Sequence, residues 1–204
     1  MVKSGGVQWT TAGRGIIHSE GPTKTFVEKG GTLEGIQLWL NLPSEKKMMQ
    51  PKYQHLVSNE INKISFDDDK VLVQLITGEL SNKEGKITTQ TPVNAFMIDL
   101  ELNGELLIPI KQSHQSILYL LNGAVTVNNK VNLRYAEDQI IQFNQDGDHI
   151  KIFANEKSKV LFLSGEPLKE TVATYGPYVM NTQTELLEAM RDYQQGKMGF
   201  LPSV

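Results

Sequence analysis

The chain has 204 residues, is 39% hydrophobic and 21% charged, and carries a formal net charge of −3 with a pI near 5.8. That length allows one large core or two modest ones, and the composition argues against disorder. The missing basic surplus argues against direct, sequence-independent nucleic-acid binding, and the absence of cysteine excludes disulfides and thiolate chemistry. No apolar run has the length of a membrane span or the form of a signal peptide, so the expected setting is cytoplasmic.

Val7 to Ala12 and Ile16 to Glu20 read as two short strands around a turn at Gly13-Arg14-Gly15. In the second, His18 and Glu20 share a face, with α-carbons roughly 7 Å apart. A nitrogen and an oxygen donor so placed can grip one borderline metal ion such as iron, zinc or manganese, although the His-x-Glu pattern alone is weak. Lys29-Gly30-Gly31 marks another turn, and Leu33 to Leu42 alternates as a strand up to Pro43. Trp39 on that strand either covers a ligand or, as the better reading, packs under a loop.

Ser44 to His55 reads as an irregular connector with a helical turn, and His55 as solvated. Asp67-Asp68-Asp69 reads as a solvated turn, because it lacks the spaced ligands and glycine of a calcium loop. Short strands then follow over Val71 to Thr77, Val93 to Leu102, Ile117 to Leu121, Ala124 to Val127, Gln139 to Phe143, His149 to Phe153 and Val160 to Leu163. Turns at Asn103-Gly104, Asn122-Gly123 and Asn128-Asn129 separate several of them. That spacing predicts a jelly-roll barrel. His114 and His149 have no ligand partners at usable spacing and read as non-ligands. Thr182 and Glu185 predict a capping box opening a helix whose apolar stripe is Leu186, Leu187, Met190 and Tyr193, with Gly196 at its end.

Three stretches together resemble the pirin family: Gly5-Gly-Val-Gln-Trp-Thr-Thr-Ala-Gly-Arg-Gly-Ile-Ile-His-Ser-Glu20, then Gly35-Ile-Gln-Leu-Trp-Leu-Asn-Leu-Pro43 with Met48-Met-Gln-Pro-Lys-Tyr-Gln54, then Tyr175-Gly-Pro-Tyr-Val-Met-Asn-Thr182. The resemblance implies an all-β, two-domain cupin with double-stranded β-helix barrels and a short C-terminal helix. The expected divisions are an incomplete N-terminal cupin over 1–64, a second cupin over 65–165, and a tail over 166–204 that packs back on the first.

In pirins the first barrel holds one metal, usually Fe(II), through three histidines and a glutamate. By the motif, His18 and Glu20 would be metal ligands, and Glu20 also the catalytic base. The other two histidines normally lie in a His-Pro-His-Arg-Gly sequence, which is absent here; the only histidines are His18, His55, His114 and His149. A misassigned start, a gene remnant, or a short product completed by a partner or second copy all fit this departure. The resemblance therefore implies either a relative of the Fe(II)-dependent quercetin 2,3-dioxygenases, acting on a flavonol-like molecule and inactive as this chain, or a non-catalytic regulator that binds a protein partner. The divalent metal itself is expected to be absent if two donors are too few.

Overall fold

The computed structural model describes residues 2–137 and 139–201. Residues 1 and 202–204 of the expected outer segments, and 138 of the second barrel, lie outside the described residues. The chain divides into two compact units, Met1–Trp9 with Gln54–Leu168, and Thr10–Tyr53 with Lys169–Val204. Strands β1 (Val7–Thr11) and β2 (Lys52–Leu56) pair with each other.

The first unit is a sandwich of two antiparallel sheets. Its strands are β3 (Asn62–Phe66), β4 (Val71–Thr77), the short pair β5 (Glu79–Leu80) and β6 (Lys83–Glu84), β7 (Val93–Leu100), β8 (Glu105–Pro109), β9 (Gln115–Asn122), β10 (Ala124–Val127), β11 (Val131–Arg134), β12 (Ile140–Gln142), β13 (His149–Ala154) and β14 (Ser158–Gly165). One sheet runs β12-β9-β14-β7-β4-β3 and the other β11-β10-β13-β8. Alternation explains the packing. Val71, Val73 and Leu75 on β4, Phe96, Ile98 and Leu100 on β7, and Leu118 and Leu120 on β9 are all buried, with partly exposed residues between them. Phe96 and Phe162 sit opposite each other across β7 and β14, their ring centroids 5.6 Å apart.

The turns follow their chemistry. Asn128 and Asn129 both have positive φ, and Lys130 N–H donates to the Val127 carbonyl at 3.0 Å, a tight turn within the three residues that separate paired Val127 and Val131. Asp67, Asp68 and Asp69 all adopt positive φ at the β3–β4 turn, where Asp67 Oδ2 accepts the Glu105 N–H at 3.0 Å. These acids shape a turn, as expected.

The second unit holds helix α1 (Lys24–Lys29), a 3-10 turn at Ser44–Lys46, the hairpin β15 (Ala173–Tyr175) and β16 (Tyr178–Met180), and helix α2 (Gln183–Gln194). The capping box forms: Glu185 N–H donates to Thr182 Oγ1 at 3.2 Å, and Thr182 N–H donates to Glu185 Oε2 at 2.7 Å. Glu170 accepts from Ser44 twice and from Asn181 Nδ2, at 2.8, 3.1 and 3.0 Å. Lys47 is buried, and its ammonium donates to Asn41 Oδ1 at 2.6 Å and the Val179 carbonyl at 3.2 Å.

Several expectations for this unit fail. Neither Ile16–Glu20 nor Leu33–Leu42 is a strand, because no described strand lies beside them to complete a ladder. Trp39 is not packed under a loop; it is 63% exposed. Helix α1 carries no buried residue, so periodicity gave no sign of it; Thr23 caps its start by accepting the Phe26 N–H at 3.2 Å. Of the α2 stripe, Leu186 is buried while Leu187 and Tyr193 are exposed.

Candidate metal corner at His18 and Glu20

The corner begins at the glycine turn. Gly15 N–H donates to the Ala12 carbonyl at 3.0 Å, and Arg14 N–H donates to the Met49 carbonyl at 2.9 Å. Gly13 has φ of 53°, and a Cβ there would run into the Met49 carbonyl, so the turn needs glycine for conformation and for space. The expected turn is present, and it anchors the chain just before Ile16.

Beyond it, His18 and Glu20 lie on the same side of an irregular segment. His18 Nδ1 is 3.6 Å from Glu20 Oε1, with the two side chains 54% and 45% exposed. Gln37 Nε2 stands 3.5 Å from Glu20 Oε2. Two donors each about 2.1 Å from one ion would be separated by about 3–4 Å, so this pair suits a borderline divalent cation. No sequence signal in the alternating stretch from Leu33 to Leu42 links Gln37 to Glu20.

The pair is not a complete coordination sphere. Among the described residues no three His, Asp or Glu side chains converge as a metal site. Two hollows in this unit, of about 340 and 370 Å³, are lined by Tyr175, Gln183 and α2 residues, and by Arg14, Met48, Asp192 and Lys197. Neither includes His18 or Glu20.

The other histidines lie elsewhere. His149 is exposed and its Nδ1 is 2.5 Å from Asp148 Oδ1, a hydrogen bond that holds the Asp148 carboxyl below its usual range. The sequence predicts His55 in solvent on a connector. It sits instead on β2, half-buried, with Nε2 shielded and unpartnered among the described residues. His114 is 4% exposed, and its Nδ1 lies 3.3 Å from Ser164 Oγ. Burial, then nearby Lys111, push its pKa down, with Glu166 opposing.

Family models match twice: the pirin C-terminal cupin domain over residues 95–199, and pirin over residues 1–40. The first match alone spans half the chain. The chain belongs to the pirin family. A pirin-like protein of Solanum lycopersicum is 36% identical over 202 residues, covering 98% of this chain and 66% of its own length. Human pirin is 35% identical over 198 residues, covering 96% and 66% respectively. The crystal structure of quercetin 2,3-dioxygenase from Acinetobacter baumannii superposes with a TM-score of 0.90 at 36% identity, over 97% of this chain and 68% of that one. The chain thus spans about two thirds of the length of these pirin relatives. With these neighbours and the observed sheets, the fold is that of a mostly β, two-domain cupin with a short C-terminal helix. Among the described residues no helix is long and apolar enough to cross a membrane.

Proposed function

We propose that His18 and Glu20 are two ligands of a pirin metal centre, and that this chain alone does not catalyse quercetin oxygenation. The observation that carries the reading is the 3.6 Å approach of His18 Nδ1 to Glu20 Oε1 on a segment anchored by the glycine turn. The likeness to a quercetin 2,3-dioxygenase supports a flavonol-like substrate class. In that role His18 and Glu20 would help hold a divalent metal, Fe(II) by family resemblance, which would supply Lewis acidity. Glu20 would accept the flavonol hydroxyl proton at a carboxylate oxygen, with Gln37 beside it to restrain that carboxylate. A working non-haem site needs at least three protein donors, and the described residues bring two together. Catalysis therefore requires donors from outside the described residues.

Manganese(II) added to the chain tests the ligand assignment through paramagnetic broadening of the His18 ring signals. Broadening is expected, and it should vanish in Glu20→Ala. Quercetin consumption with ferrous iron tests the rest. Turnover abolished by His18→Ala and Glu20→Ala would show a complete site in this chain. Turnover indifferent to both would remove the assignment altogether.

A second reading, a non-catalytic role through a protein partner, draws on the stretch from Leu33 to Leu40. Leu33, Ile36, Leu38, Trp39 and Leu40 are each at least 45% exposed along backbone in no strand. Extended apolar chain of this kind is suited to strand addition by another polypeptide. Light scattering of the purified chain, with and without Trp39→Lys, checks whether the stretch mediates association.

A further inference from the structure

The chain carries two Asn-Gly pairs, Asn103-Gly104 and Asn122-Gly123, both in the first unit. Such a pair is prone to lose the asparagine amide, because a glycine nitrogen closes on the side-chain carbonyl without steric hindrance. By sequence the two pairs are equivalent. By structure they are not.

At the first pair the glycine nitrogen is committed elsewhere. Gly104 is buried, and its N–H donates to the Glu101 carbonyl at 2.9 Å in the turn between β7 and β8. It cannot approach the Asn103 side chain without giving up that bond. At the second pair the Gly123 N–H donates to Asn122 Oδ1 itself, at 2.9 Å. Among the described residues no backbone carbonyl accepts from it. The nitrogen therefore stands one carbonyl bond away from the carbon it would attack, close to a reactive arrangement. Asn122 is exposed at the end of β9, so water reaches the amide and ammonia can leave.

We propose that Asn122 is a site of spontaneous, structure-selected deamidation with water as co-reactant. It is independent of His18 and Glu20. Hydroxide takes the Gly123 N–H proton, and the nitrogen forms a bond to Asn122 Cγ. The Cγ–Nδ2 bond then breaks, and ammonia leaves with a proton from water. Water opens the resulting cyclic imide at either carbonyl, and nothing is oxidised or reduced. One opening leaves an aspartate, whose new charge faces Lys159 across the β9–β14 pair. The other leaves an isoaspartate, which adds a carbon to the main chain just before Gly123. There is no room for it: a Cβ on Gly123 would already strike Ser158 Oγ and the Lys157 carbonyl. The isoaspartate must therefore displace Ala124, whose N–H donates to Ser158 Oγ at 3.0 Å in the barrel wall.

Ageing the full chain in mildly alkaline ¹⁸O-labelled water, followed by peptide mass spectrometry, reads both sites in one sample. In the folded chain Asn122 should exchange its amide for a labelled acid about tenfold or more faster than Asn103, since Gly104 must first break a buried backbone hydrogen bond. In concentrated urea the two rates should converge. Asn122→Ser should abolish the labelling of its peptide and leave that of Asn103 unchanged. Hydrogen exchange of the aged isoaspartate fraction should show the Ala124 amide losing protection. Equal rates in the folded chain, faster loss at Asn103, or a folded chain inert at both sites under conditions where urea-unfolded chain reacts would overturn the site. An Ala124 amide as protected in the isoaspartate fraction as in fresh protein would overturn its structural effect.

Discussion

Glu170 accepts the backbone N–H of Ser44 at 2.8 Å and the Ser44 hydroxyl at 3.1 Å, across 126 positions of sequence. The same carboxylate accepts from Asn181 Nδ2, and Asn181 N–H in turn donates to Glu185 at 3.0 Å. Two glutamates thus tie the 3-10 turn, the β15–β16 hairpin and the start of α2 into one hydrogen-bonded cluster.

This cluster makes the second unit acid-sensitive. The Ser44 N–H is the main cause holding Glu170 below the ordinary value of 4.5, and the Thr182 hydroxyl is the main cause for Glu185. Carboxyls depressed in the folded state bind protons more readily when unfolded, so their contribution is complete above the ordinary glutamate range. It is lost as pH falls through the depressed folded values. Limited proteolysis across a pH series should show α2 becoming cleavable on the acid side before the barrel does. Glu170→Gln should make α2 more susceptible at neutral pH and flatten the acid dependence. An unchanged pH profile in that variant would contradict the role of Glu170.

Lys47 is the cation of the same region. Burial pushes its pKa down while Glu170 and Glu185 pull it back up. Replacing it with methionine keeps the stem but leaves Asn41 Oδ1 and the Val179 carbonyl without their donor. Lys47→Met should destabilise the second unit by about 1–3 kcal/mol, the cost of buried polar groups left unpaired. Limited proteolysis of α2 across a urea series checks it, since α2 lies in that unit.

Phe162 is fully buried against Phe96 at the centre of the six-stranded sheet. Phe162→Ala should cost about 3–5 kcal/mol through lost transfer energy and a residual cavity. The loss should appear in the barrel transition, read by far-ultraviolet circular dichroism. A loss under about 1 kcal/mol would mean that the layers collapse around the gap.

The barrel was legible in the sequence because its strands bury one face and expose the other. Val71 to Thr77 and Val93 to Leu100 show that alternation plainly. β8 is harder to read: Leu106 and Ile108 alternate with Glu105, Leu107 and Pro109, but the run is short and ends in proline. The Thr182–Glu185 cap was readable since it depends on residues three apart. Leu33 to Leu42 has a strand's pattern without a strand's structure, since alternation states a preference while a ladder needs a neighbour. His18 and Glu20 were legible as a pair from their spacing, weakly, and the resemblance to pirins gave that weak pattern its weight. Their side chains do approach, but on an irregular segment, and their approach to Gln37 depends on a fold that spacing does not reveal.

The central claim is that His18 and Glu20 form a two-donor corner, too few protein ligands for this chain to retain a transition metal. Elemental analysis of the purified chain after passage over a chelating resin tests it most directly. The account predicts transition metal far below one equivalent, with no difference between the native chain and His18→Ala. One equivalent of iron that survives the resin in the native chain and is lost in His18→Ala would contradict it, because a complete site would then exist within these 204 residues.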